Sequence, residues 1–529
     1  MSNELDWMLA RTIAGRMNRR AFIGRATALG LTATAANGLL AQGARAQGTP
    51  KKGGTLKIGM QGGGSTDSLD PALAANQVTF QLLRMFGEPL VELTPEGALD
   101  MRLATDVSST PDAKTWSFAI RKGVTFHDGS KLTPDDVVAT LKRHSDEKSQ
   151  SGALGLMKGI SSMKVDGDNV VIELEAPNAD LPYLMADYHL LIQPKGGVDA
   201  PAAGVGTGAY KVASHEPGVR AVFEKFDGYW DDKLGHFDSV EILVINDNTA
   251  RSSALQSGQV HLINRIDPKV AGLMSRAPNL TVTNVSGRGH YVFIMHCDTA
   301  PFDNPDLRMA LKLAVNRQEM VDKILMGYGS VGNDFPINAA YPLFDASIPQ
   351  REYDPEQAAA LYKKSGHDGS PILMSCSDVA FAGAMDAAAL FQQSAQAAGI
   401  PLQIQREPGD GYWSDVWNVK PFSASYWGGR PVQDQMYSTA YLSTADWNDT
   451  RFKNAEFDDL LMKARGELDE AKRKEMYGRM AMLVRDDGGL ILPMFNDFIS
   501  ANSKDLMGWL DDPNQDFMNG YAPHKCWFA

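Results

Sequence analysis

The sequence predicts an α/β protein with mixed sheets, on three observations. Short runs such as Thr55-Leu56-Lys57-Ile58-Gly59-Met60 alternate with the period of a half-buried strand, and they interleave with stretches at helical spacing. Helix ends are punctuated by proline just inside the start and glycine just past the end. The 529 residues show no repeat of fixed period and no low-complexity linker after Gly54, so several domains that share backbone crossings are expected.

The elements follow in order. After the strand at 55–60, Gly62-Gly63-Gly64-Ser65 and Ser68-Leu69-Asp70-Pro71 mark turns, and residues 78–86 read as an apolar helix. Residues 116–120 and 124–127 read as strands, the second closing on Asp128-Gly129, a favoured hairpin pair. Thr133-Pro134-Asp135-Asp136 opens a helix: a hydroxyl cap, proline at the first position and acids at the positive dipole end, with Val137, Val138 and Leu141 as its stripe. Asn304-Pro305-Asp306 repeats that signature ahead of Leu307, Ala310, Leu311, Ala314 and Val315. Strands are expected at 170–174, 210–212, 221–226, 239–245, 290–295 and 422–427, and helices near 249–257, 355–364 and 380–398. The last closes on Gly399-Ile400-Pro401.

The first 46 residues read as an export address. Asn18-Arg19-Arg20-Ala21-Phe22-Ile23 carries the twin-arginine pattern, a weakly apolar Ala/Thr/Gly-rich segment follows, and Ala44-Arg45-Ala46 supplies a small-x-small cleavage site. A mature periplasmic chain starting at Gln47 is expected, without a lipid anchor because that residue is not Cys. Six Lys/Arg and two Asp/Glu lie in the leader, which leaves 45 basic against 62 acidic residues, a charge of −17 against −13 for the whole chain. No basic footprint survives, so nucleic acid is excluded as a partner. Three cysteines, Cys297, Cys376 and Cys526, allow at most one bridge.

Motifs of chemistry are few. Gly204-Val205-Gly206-Thr207-Gly208-Ala209 matches G-x-G-x-x-A, but a dinucleotide site needs a helix next, and Tyr210-Lys211-Val212 reads as a strand. His290 and His296 flank a strand that separates them by ~20 Å at about 3.3 Å per residue, too far to share a metal ion. No H-E-x-x-H, G-x-S-x-G, C-x-x-C or Walker pattern occurs. Catalytic residues, metals and cofactors are accordingly expected to be absent.

The densest aromatic segment runs from Asp410 to Trp417 and on to Tyr426-Trp427-Gly428-Gly429-Arg430-Pro431-Val432-Gln433-Asp434. Trp417, at helical spacing from Trp413, reads as core. Trp427 ends a strand and is followed by two glycines and an arginine, which brings an indole face and a guanidinium together on backbone that a ligand can approach. The planar fork of Arg430 suits a carboxylate. Two other readings stay open: a solvated surface arginine, or an ion pair of Arg430 with an acid such as Asp434.

Across the mature chain, Lys51-Lys52-Gly53-Gly54-Thr55-Leu56, Ser68-Leu69-Asp70-Pro71, Val124-Thr125-Phe126-His127-Asp128-Gly129-Ser130 with Leu132-Thr133-Pro134-Asp135-Asp136-Val137, Gly206-Thr207-Gly208-Ala209-Tyr210, and Pro301-Phe302-Asp303 through Arg308-Met309-Ala310-Leu311 resemble family 5 of the extracellular solute-binding proteins, the peptide and nickel-type binding components of ABC importers. The resemblance implies a periplasmic binding protein-like fold (type II, cluster C) with two ligand-clamping lobes and an extra domain. It divides the chain into lobe I at 47–82, 204–287 and 488–529, the extra domain at 83–203, and a third lobe at 288–487. It also implies a monomer that delivers a small-molecule or peptide-like ligand to permease and ATPase subunits on other chains. Peptide-binding members commonly carry an acid after the strand-end Trp, then Asp-Pro-Asp; here Arg430 stands near that acid and Val432-Gln433-Asp434 replaces the triplet. The ligand expected is therefore anion-bearing. Its contacts would be Arg430 as anchor, Trp427 as apolar wall, Gly428, Asp434 and Trp413 beside them, and Tyr291 on the strand entering the third lobe. A periplasmic hydrolase and a chemoreceptor-docking sensor are the alternative functions.

Overall fold

A computed structural model of the chain describes residues 49–529 except 75, 147, 158, 379, 410, 411 and 446 and the side chains of 413 and 414. The expected leader lies outside the described residues. The described residues form two compact units: one from 49–176, 181–285 and 498–529, the other from 177–180 and 286–497. Two of the passages between them fall inside strands, Leu280–Met295 and Leu490–Ser503. The expected α/β fold with mixed sheets is the one observed.

In the first unit, Thr55–Met60 runs parallel to Ser239–Val244 and to Leu262–Ile263, and the antiparallel strands Arg220–Lys225 and Tyr210–Glu216 extend the sheet. Its alternation buries Leu56, Ile58, Val240, Ile242 and Phe223 with the helix Gln77–Phe86. Asn76 caps that helix, accepting from the N–H groups of Val78 and Thr79 at 3.0 Å. A separate antiparallel sheet orders Ala104–Ser109, Thr115–Ile120, Asn169–Leu174 and Ile160–Asp166. The helix Pro134–Ser145 starts as expected, with Asp136 accepting from the Thr133 N–H at 2.9 Å.

One local expectation changes here. Residues 124–127 do not form a strand: one isolated bridge, Thr125 to Lys131, remains beside the Asp128-Gly129 turn. The N–H of His127 leaves the hairpin and donates to Gly206 at 3.0 Å, so the ladder cannot continue. The reading of the glycine motif holds. Tyr210–Glu216 follows it as a strand, and a Cβ at Gly208 would lie 2.7 Å from the Phe86 carbonyl carbon and 2.8 Å from the Met85 oxygen. The motif is a close crossing of two backbones.

In the second unit, residues 290–295 pair antiparallel with Phe422–Trp427, from His290 opposite Trp427 to Met295 opposite Phe422. Ile372–Cys376 lies parallel to Phe422–Trp427 and to Leu402–Arg406. Both faces of this sheet are covered. Phe293, Met295, Phe422 and Ala424 pack on one side with the helices Pro305–Leu313, Arg317–Lys323 and Ala384–Ala397. Val292, Ile294 and Trp427 pack on the other with Gln433–Ala440, Ala455–Gly466 and Glu470–Asp487. The helix expected at 380–398 begins at Ala384. All three cysteines are free.

Candidate ligand site

The strand Phe422–Trp427 places Trp427 on the face that carries Val292 and Ile294, and the chain then turns through Gly428 and Gly429 to Arg430. The indole is 4% exposed, and its Nε1–H donates to Asp449 Oδ2 at 3.1 Å. Trp417 donates its own Nε1–H to the same oxygen at 2.9 Å. Trp447, half exposed, completes a cluster in which the three ring centroids lie 5.9–6.3 Å apart. Burial lifts the Asp449 carboxyl to about 7, against the lowering effect of the two indole donors.

Arg430 is half-buried and folds onto its own turn. Its guanidinium donates to the carbonyls of Gly428 at 3.3 Å and Gly429 at 3.2 Å, and lies 6.0 Å from the Trp427 ring centroid. Among the described residues, no carboxylate lies within ion-pair distance of it. Its backbone is fixed as well: the Arg430 N–H donates to Tyr341 Oη at 3.0 Å, and the buried Arg288 guanidinium donates to the Arg430 carbonyl at 3.3 Å. Arg288 also holds the Ala340 carbonyl, at 2.8 and 3.0 Å, and sits 4.9 Å from the Tyr341 ring centroid.

The glycines divide their roles. A Cβ on Gly429 would collide with the Cβ of Arg288, so that glycine accommodates a neighbouring side chain, whereas Gly428 is exposed and its nearest outside atom is Arg430 Nη1 at 3.9 Å. Asp434, in the first turn of Gln433–Ala440, is engaged by Arg465 at 3.1 Å, not by Arg430, and receives the Ser438 hydroxyl at 3.4 Å. Tyr291 pairs across the strands with Tyr426 and therefore lies on the sheet face opposite Trp427, where it stacks on Phe381 at 4.2 Å. Trp413 lies in the helix Tyr412–Asp415, its side chain outside the described residues. The structure thus gathers Arg430, Gly428 and Trp427, commits Asp434 to another arginine and sets Tyr291 on the other face. Arg288, Tyr341, Trp447 and Asp449 are missed by sequence reasoning, because their roles depend on approaches between distant segments.

His290 Nδ1–H donates to the Arg288 carbonyl at 3.1 Å, and burial lowers both His290 and His296 to about 4. Among the described residues, no group of three His, Cys, Asp or Glu side chains is placed to hold a metal ion.

The model of the bacterial extracellular solute-binding proteins, family 5 (middle region), matches residues 98–449. The chain belongs to this family. Its function class is that of an extracellular solute-binding protein. It is 25% identical over 484 residues to the glutathione-binding protein GsiB of Escherichia coli O6:K15:H31, the match covering 86% of this chain and 92% of that one. The fold is similar to that of the periplasmic binding protein AgaA of A. tumefaciens R10, in complex with agropinic acid, with TM-score 0.76, 23% identity and coverage of 90% and 99%. It is also similar to that of the ABC transporter-associated periplasmic binding protein DppA of Helicobacter pylori, in complex with the peptide STSA, with TM-score 0.77, 20% identity and coverage of 90% and 98%. These relatives are described as binding proteins. Among the described residues, no helix is long and apolar enough to cross a membrane.

Proposed function

We propose that the protein captures a small, anion-bearing solute of peptide-like or opine-like character in the periplasm and delivers it unchanged to a permease. Arg430 carries this reading. A guanidinium held by two carbonyls of its own turn, with no carboxylate beside it among the described residues, is preorganised for a ligand anion and unneutralised before the ligand arrives. Gly428 leaves room beside it, and Trp427 backs the turn. Asp434 acts indirectly, since a ligand would have to compete with Arg465 for it. Trp413 and Tyr291 belong to the proposed outer contacts. The carboxylates of glutathione and agropinic acid, bound by two of the similar proteins, suit the same anchor.

The proposal includes twin-arginine export with cleavage after Ala46, a monomer, and lobes as the family resemblance divides them: 47–82, 204–287 and 488–529 forming the first, 83–203 the extra domain and 288–487 the third. The deciding experiment titrates glutathione, with its carboxylates free or amidated, and agropinic acid against the parent protein and Arg430→Ala. The free acids should bind and the amide should not, and truncation should cost about 2–5 kcal/mol, roughly 30- to 3,000-fold in Kd. Arg430→Lys should recover part of it. Equal affinity of the parent for free and amidated forms rejects the anionic anchor.

A further inference from the structure

We propose that Asp449 is a positioning residue of the ligand site, its carboxylate locking the indoles of Trp427 and Trp417 and so fixing the turn that presents Arg430. Two donors from separate segments converge on one oxygen: Trp427 Nε1–H from the strand end at 3.1 Å and Trp417 Nε1–H from beyond the helix Tyr412–Asp415 at 2.9 Å. Asp449 comes from a third segment, which the Cys297 N–H ties to the neighbouring strand by donating to the Thr450 carbonyl at 2.8 Å. The turn is thus held at both ends, at Trp427 by Asp449 and at Arg430 by Arg288 and Tyr341.

The carboxylate is buried, and its Oδ1 has no hydrogen-bond partner among the described residues, so its polar capacity is concentrated on the two indoles. Burying such a group is costly, whereas an apolar side chain of the same size would pack there and leave both indoles free to rotate. Arg451 and Tyr441 are the other ionisable groups described as acting on it. This inference rests on the reading that Arg430 meets the ligand, and its test separates the two.

The test compares the parent with Asp449→Leu and Asp449→Asn, reading backbone amide resonances of residues 428–430 and indole N–H resonances in the unliganded protein, then affinity for glutathione. Asp449→Leu should shift both indole signals and the amides of Gly428, Gly429 and Arg430, and weaken glutathione at least tenfold. Asp449→Asn keeps an acceptor oxygen and should stay within about threefold. In the parent the two indole signals should titrate together, and in Asp449→Asn neither should. Unmoved amides at 428–430 in a folded Asp449→Leu overturn the proposal whether or not glutathione binds; if that variant fails to fold, indoles that titrate independently in the parent overturn it. Shifted amides, with Arg430→Ala binding glutathione as the parent does, leave Asp449 positioning the turn and reject Arg430 as the anchor.

Discussion

At the scale of single residues, the decisive contrast is between Arg430 and Arg465. Arg465 neutralises Asp434, so removing Arg430 breaks no ion pair described in the unliganded protein. Arg430→Ala should leave the stability of the empty protein within about 0.5 kcal/mol of the parent while removing affinity. Arg465→Ala should cost about 1–3 kcal/mol, because it strands a buried carboxylate; denaturant melts of the two variants check both figures. Asp449 gives a pH prediction. Its folded-state value, about 7, lies above that of an unfolded aspartate, so the folded protein binds the extra proton between those values. Its contribution is fully present below about pH 4 and declines as pH rises through about 7. The difference in stability between Asp449→Asn and the parent should therefore shift in favour of the variant from pH 4 to pH 8, measured by chemical denaturation across that range.

At the scale of elements, cap signals made the helix starts at Pro134, Pro305 and Pro355 legible, because a cap is satisfied by residues within three positions of it. The helices Ala455–Gly466 and Glu470–Asp487 were not legible. Glu470–Asp487 buries Arg473, Tyr477 and Met480 together, so its inner face is not an apolar stripe. Arg473 is there because Asp180, at 2.6 Å, comes from the far-removed segment Pro177–Asp180 of the same unit. Asp334 is a similar case. It is buried between Arg317 at 2.7 Å and Arg351 at 2.9 Å, which together hold its carboxyl below the usual range despite burial. A depressed value means stability that is present above the unfolded aspartate's titration and lost as pH falls through the folded one. Asp334→Ala should cost about 3–5 kcal/mol at pH 7, and that cost should begin to fall once pH drops below the unfolded aspartate's titration, read from urea midpoints at pH 7 and pH 3. Gly208→Ala should cost about 1–3 kcal/mol, since its Cβ would meet the Phe86 backbone.

At the scale of the molecule, a protein that binds its solute only when folded should gain about 2.7 kcal/mol at a hundredfold excess over Kd, and the solute should be recovered unchanged. Steady conversion by the pure protein would favour the hydrolase reading. Replacing Arg19 and Arg20 by lysine should hold the precursor in the cytoplasm, because lysine keeps the charge without the planar fork. Normal processing of that variant to a chain beginning at Gln47 would exclude the twin-arginine route.

What the sequence by itself determined was whatever depends on neighbours in the chain: alternation that makes 422–427 a strand, caps that start helices, a strand after Gly208 that excludes a dinucleotide site, and a family resemblance spread over many short motifs. It also singled out Arg430 by a local departure from those motifs. Only the tertiary structure decided how these residues are partnered. Asp434 goes to Arg465, Gly429 makes room for Arg288, and Trp427 and Trp417 converge on Asp449. The physical reason is that burial makes an unpartnered polar group costly, and the partner that meets the need is chosen by which distant segments the fold brings within about 3 Å, a distance no local pattern encodes.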